Sequence, residues 1–108
     1  MSDEVKNMNN GYVFARESKF SQVIEKEGGT TIIPCTVIDF GFNSDFIVAA
    51  QIENKGCLND FDPNANLSFW IIDCKTNEVY SNLSIIQYFH YKKKFGISKK
   101  LKLDIEFE

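Results

Sequence analysis

The side chains able to do chemistry crowd into one short stretch, "FWIIDCKTNE", Phe69 to Glu78. It sets the single tryptophan, Trp70, close to a carboxylate (Asp73), a thiol (Cys74) and a second carboxylate (Glu78). A thiol nucleophile needs a base and an electropositive setting. The only imidazole is His90, and a serine triad would call on that same ring. His90 falls between Phe89 and Tyr91 in a helical run, with no partner at a spacing that would orient it. A turn explains the same letters without chemistry. Asp73 can accept hydrogen bonds from turn amides, and Asn77 suits the left-handed backbone position where glycine would otherwise sit. The expectation is a hairpin and not an enzyme.

Other chemistry is equally sparse. Gly28-Gly29 lacks both the GxGxxG and the phosphate-loop pattern. Asp60 and Asp62, with Asn59 and Asn64, have the acidic-polar alternation of a calcium loop but not its closing glutamate. Cys35, Cys57 and Cys74 are an odd number at wide spacing. No CxxC is present, whereas a zinc site takes four ligands at tighter spacing. No metal and no cofactor are expected. The cysteines read as reduced thiols of a cytoplasmic protein, with a Cys35–Cys74 bridge open only if their strands are neighbours.

At 108 residues, 44% of them apolar and 14% aromatic, the chain can build one core and one domain. Residues 1–10 read as a flexible polar leader and 11–108 as the domain. No apolar run approaches the ~18 residues of a membrane span. The leader has neither a basic start nor an apolar stretch, so it is no secretory signal, and no membrane contact is expected. Net charge is −3, with 12 acids against 6 bases up to His90 and 6 lysines against 3 acids beyond it. The acidic bulk disfavours nucleic acid as a partner and suits a basic protein, which opposite charge would steer onto it. Glu53, Asp60 and Asp62 lie in or beside the longest irregular segment, "NKGCLNDFDPNAN", where binding residues tend to gather. They are the candidate partner-binding residues. The lysines of "YKKKFGISKKLK" read as a solvated helix end and a basic edge.

The elements that must carry these residues are mostly strands. "GYVFARE" is a first strand, and "FSQVIEK" is ambiguous between strand and helix before Gly28-Gly29 breaks the chain. "TTIIPCTVIDFGF" reads as one β-rich strand with Pro34 at an edge or a bulge. "FNSD" turns the chain into "FIVAAQIE", where Phe46, Val48, Ala50 and Ile52 face one way and Ile47, Ala49, Gln51 and Glu53 the other. Leu67 to Ile72 is apolar on both faces, the mark of a central, twice-covered strand. The one helix follows. Ser84 and Gln87 form a capping box, Leu83 can staple onto Tyr88, lysines occupy the last turn and Gly96 ends it. Its stripe of Ile85, Tyr88, Phe89 and Phe95 should cover one sheet face, either the Phe69/Ile71 side or the Trp70/Ile72 side. "KLKLDIEFE" alternates as a final amphipathic strand.

The sequence of "FWIID", "KTNE", "VY", "LS" and a lysine-rich helix ending in "FGI" resembles the C-terminal half of a family of small, uncharacterised bacterial proteins. Its members carry a Trp-Ile-Ile-Asp strand, a Lys-Thr turn, a Val-Tyr-Gly-Pro-Leu segment and a charged helix. The resemblance covers residues 67–97, and Ser81-Asn82 stands where the family has Gly-Pro. It implies a small sheet with one helix and no known activity. The expected fold is α+β, a twisted antiparallel sheet of about five to seven strands with one C-terminal helix packed on one face. The expected function is a non-catalytic protein-binding module, an immunity protein that neutralises a basic toxin by covering its active site. The alternative is a small ligand-binding or sensing domain using the aromatic surface around Trp70, Tyr80 and Tyr88.

Overall fold

The computed structural model describes residues 4–8, 10–18, 21–52 and 67–104. They form eight strands and one helix: β1 (Glu4–Asn7), β2 (Tyr12–Ser18), β3 (Ser21–Lys26), β4 (Thr30–Ile33), β5 (Val37–Phe42), β6 (Phe46–Ile52), β7 (Leu67–Asp73), β8 (Glu78–Leu83) and α1 (Ile85–Lys94). The strands make two four-stranded antiparallel sheets, ordered β1-β2-β3-β4 and β5-β6-β7-β8. The single sheet of five to seven strands expected from the sequence is thus two sheets. Two local facts account for the difference. Glu4–Asn7, within the expected leader, adds β1 to the edge of β2. The β-rich run from Thr30 to Phe42 is two strands in different sheets, parted at Pro34, Cys35 and Thr36. Pro34 has no amide hydrogen to continue the ladder, so β4 stops before it. Thr36 already belongs to the second sheet, exchanging both backbone hydrogen bonds with Ile52 at 2.9 and 3.0 Å.

The second sheet is covered on both faces. Ile47, Ala49, Trp70 and Ile72 point toward the first sheet and pack with Tyr12, Phe14, Ile24 and Ile33. The rings of Phe14 and Phe40 stack across that gap with centroids 4.4 Å apart. Phe46, Val48, Ala50, Phe69 and Ile71 point the other way and pack with Leu83, Tyr88, Ile97, Leu101 and Leu103. The helix therefore lies on the Phe69/Ile71 side, with Phe69 and Tyr88 stacked at 5.0 Å. Small residues face large ones across the central pair: Ala49 opposes Trp70 and Ala50 opposes Phe69. That lets two aromatics fit at native density.

The helix ends as its sequence indicates. Ser84 Oγ accepts from the Gln87 amide at 3.1 Å, and Gln87 Oε1 accepts from the Ser84 amide at 2.9 Å. Gly96 has φ +65°. The amide of Ile97 reaches Lys92 O at 2.9 Å and that of Gly96 reaches Lys93 O at 3.2 Å, the paired bonds of a Schellman motif. The buried stripe differs from the expected one. Tyr88 and Lys92 are buried and Tyr91 and Phe95 half-buried, whereas Ile85 and Phe89 are exposed. Lys92 lays its stem along the core and sets its ammonium 5.3 Å from the Tyr88 ring centre. The expected final strand is not a strand over its described part, 100–104. Leu101 and Leu103 alternate inward as predicted, but the segment crosses over the sheet, and a Cβ on Gly41 would meet Lys102 O at 3.3 Å.

One buried amide ties the sheet crossing to the core. Trp70 Nε1 donates to Gln51 Oε1 at 2.8 Å, and Gln51 Nε2 donates to Pro34 O at 3.0 Å. Replacing Gln51 by Leu would strand the buried indole N–H at a cost of ~1–3 kcal/mol, while water can reach the carbonyl of the exposed Pro34. Gln51→Leu is expected to lower stability by about 1–3 kcal/mol, read as a lower urea midpoint with Trp70 fluorescence as the probe.

The thiols also depart from expectation. Cys35 is disulfide-bonded, with its partner outside the described residues, and Cys74 is a free, buried thiol. No Cys35–Cys74 bridge exists. A bridge uses two of the chain's three cysteines, so thiol titration of the denatured, unreduced protein is expected to find one, and three would contradict the bridge.

Candidate functional site

The chemical stretch forms the turn between β7 and β8. Asp73 Oδ1 accepts from the Lys75 amide at 3.0 Å, and Asp73 O accepts from the Asn77 amide at 2.7 Å. Asn77 takes the left-handed conformation with φ +63°, as its short amide side chain permits. Thr76 Oγ1 caps the Glu78 amide at 3.3 Å. The reactive letters thus serve the turn, as the sequence indicates.

The turn reaches residues that sequence reasoning did not connect to it. Asn77 Oδ1 accepts from Tyr12 Oη at 2.9 Å and from Lys26 Nζ at 3.0 Å. Lys26 Nζ also donates to Asn10 O at 2.7 Å and lies 4.0 Å from the Tyr12 ring centre. Asn10 Nδ2 donates to Cys74 O at 3.1 Å. These bonds latch the first sheet to the β7–β8 turn of the second. A Tyr–Lys pair beside a thiol resembles catalytic furniture, but the ammonium is occupied by two oxygens and a ring. The only advance signal was Asn10-Gly11, a turn pair; pairing it with Asn77 depends on how the two sheets dock.

Electrostatics oppose a nucleophile here. Burial first, then the Asp73 carboxylate, pushes the Cys74 thiol from an ordinary 9.0 up to about 11, although Lys26 pulls the other way. The Tyr12 hydroxyl is raised for the same first reason, with Cys74 and Asp73 adding to it. His90 is exposed, edge-on to Tyr91 at 5.7 Å. Among the described residues no group of three His, Cys, Asp or Glu side chains could hold a metal ion.

Glu53, Asp60 and Asp62 lie outside the described residues, as do Asn59 and Asn64. The base that carries them is described. Ile52 pairs with Leu67 across β6 and β7, so the fourteen-residue segment 53–66 leaves and rejoins the two central strands at adjacent positions. That end of the sheet also holds the crossing at Thr36, paired with Ile52, and the start of α1, since Leu83 opposes Phe69.

The aromatic surface imagined around Trp70, Tyr80 and Tyr88 does not form. Trp70 faces the first sheet, Tyr88 is fully buried on the opposite face, and only Tyr80 is partly open. A half-open groove of ≈ 410 Å³ lies elsewhere, lined by Asn7, Met8, Gly11, Tyr12, Val13 and Glu27. Of the exposed large apolar residues described, Val5, Ile38, Leu67 and Val79 lie singly on strands and three lie together on α1. Ile85, Ile86 and Phe89 are 43%, 78% and 44% accessible.

A family model described as "Protein of unknown function (DUF3997)" matches residues 9–107, and the chain belongs to that family. No curated protein and no solved structure matches it.

The state of Cys74 can be tested directly. A pKa of about 11 in place of 9.0 leaves ~100-fold fewer thiolates at neutral pH. Alkylation of Cys74 in the native protein is expected to be at least ~100-fold slower than in the denatured protein. The raised pKa also fixes the sign of its pH effect. The folded state holds the proton more tightly, so this contribution to stability is complete below pH 9.0 and is lost as pH rises toward about 11. Equal alkylation rates for the two states would refute the buried, neutral thiol.

Proposed function

We propose that this member of a family without an assigned activity is a non-catalytic protein-binding module of the immunity type, neutralising a basic bacterial toxin by covering its active site. The observation that carries the reading is the base of segment 53–66. Both its ends are held by strands that are buried along most of their length. A long segment on a rigid central pair is the arrangement in which binding residues commonly sit. The segment brings Glu53, Asp60 and Asp62 together in sequence, within a region of 12 acids and 6 bases up to His90. Opposite charge on the partner would speed encounter.

The disulfide at Cys35 bears on where this happens. Structural disulfides belong to oxidising compartments, so the cytoplasmic expectation, argued from reduced thiols, gives way to a proposed site of action outside the reducing cytoplasm. Among the described residues no helix is long and apolar enough to cross a membrane. The second reading, a small ligand-binding domain, rests on the groove at Tyr12 and Glu27 rather than on the tryptophan.

Association kinetics with the basic product of a neighbouring gene, measured at two ionic strengths, test the first reading. Charge reversal at Asp60 and Asp62 is expected to slow association, as is raised salt with the unaltered protein. The same variant should unfold within ~0.5 kcal/mol of the parent. A salt-independent on-rate, or a protein partner seated on the lysine-rich helix instead, would overturn it.

A further inference from the structure

We propose that the outer layer of the molecule, α1 with the segment that follows it, is a docking surface for anionic phospholipid. Three observations converge on that layer. First, the helix has an uncovered stripe. Ile86, Phe89, His90 and Lys93 follow at i, i+3, i+4 and i+7, and all four are exposed, while Tyr88 and Lys92 turn to the core. The stripe is apolar at its start, where Ile85 flanks it, and basic at its end. Secondly, charge is divided with little mixing. From Val79 to Leu103 there is no acid and there are six lysines, a local charge of +6. The rest of the chain holds 15 acids and 6 bases, a charge of −9, and the two add to −3. Thirdly, α1 and residues 97–103 together cover one face of the second sheet, with the first sheet on the other side. The layer therefore forms one outside of the protein, with the helix axis along the surface.

The kind of base decides between occupants. Protein–protein interfaces are enriched in arginine and depleted in lysine, yet all six bases here are lysines and the single arginine, Arg16, is on β2. Lysine suits a lipid headgroup layer, where its stem lies along apolar surface and its ammonium stays in water. Ile86 and Phe89 would enter the boundary between headgroups and acyl chains, and Lys93, Lys94, Lys99 and Lys100, all exposed, would meet phosphates. Each lysine near an anionic surface strengthens attachment roughly five-fold. The acidic remainder would be repelled, turning the first sheet away from the membrane. The absence of a spanning segment argued against a membrane partner, but attachment to a surface needs no span. This proposal is independent of the segment 53–66.

Sedimentation of the purified protein with vesicles tests it. Binding is expected to vesicles of phosphatidylcholine containing phosphatidylglycerol, and to weaken in raised salt. Pure phosphatidylcholine vesicles should retain little. Ile86→Ser with Phe89→Ser should weaken binding roughly ten-fold or more, and Lys93→Glu with Lys94→Glu should abolish most of it. Val5→Ser, at a site 63% accessible on the opposite layer, should change nothing. The lysine pair sits on an exposed face, so it decides the matter even if the apolar pair disturbs folding. No sedimentation with anionic vesicles, or sedimentation indifferent to both pairs of substitutions, would overturn the proposal. So would a stripe occupied by a second copy of the chain, seen as a dimer that the apolar pair dissolves without loss of vesicle binding. Because no protein partner enters the experiment, its failure leaves the reading of Glu53, Asp60 and Asp62 standing.

Discussion

The fold depends on a pair of strands that is apolar on both faces. β6 is buried from Phe46 to Ile52, and β7 from Phe69 to Ile72. Such a pair cannot leave either face to water, because each buried branched or aromatic side chain is worth about 1.5–3 kcal/mol relative to exposure. One cover comes from the chain before it, as the first sheet, and the other from the chain after it, as α1 and the segment through Leu103. The polar groups of the interior arrange themselves around that requirement. Gln51 lies on the central pair and spends its amide on Trp70 and on Pro34 at the crossing. The Tyr12–Lys26–Asn77 bonds close the opposite end of the same interface.

This division of labour bears on function. Side chains that could have formed a catalytic group are engaged by turns or held neutral by burial, as Asp73 and Cys74 are. The proposed binding segment springs from one end of the central pair, and the proposed lipid-facing layer lies along one face.

Legibility followed the range of the interactions. The β7–β8 turn, the capping box of Ser84 and Gln87, the stop at Gly96 and the two-faced character of residues 46–52 and 67–72 could all be read locally. Each rests on side chains a few positions apart. The split of 30–42 between two sheets could not be read. Pro34 announces a break in a ladder but does not say which sheet takes the next strand. The disulfide at Cys35 is likewise a matter of distance in space and not of spacing. On α1, aromatic periodicity placed Tyr88 correctly but overcounted Ile85 and Phe89. A stripe drawn through 85 and 89 is rotated by about 60° from one through 88 and 92, and the four-carbon stem of Lys92 fills the core instead. Charge and a place in or beside the longest irregular segment mark Glu53, Asp60 and Asp62, which lie outside the described residues.

In both sheets every strand pairs only with its neighbours in sequence. Among the described strands, β1 and β4 are the outer members of the first sheet and β5 and β8 those of the second. An outer strand left open is a template for joining other chains into aggregates. The irregularities of register fall where they would blunt that hazard. β1 and β4 are only four residues long. β4 opposes two of its residues to one step of β3 and runs into Pro34. β5 carries an extra residue, Ile38, between its partners of Gln51 and Ala50. β8 bulges at Ser81 and Asn82, with Asn82 at φ +53°. Distortions that would look like imperfect pairing from inside the sheet act, from outside it, as guards against unwanted assembly.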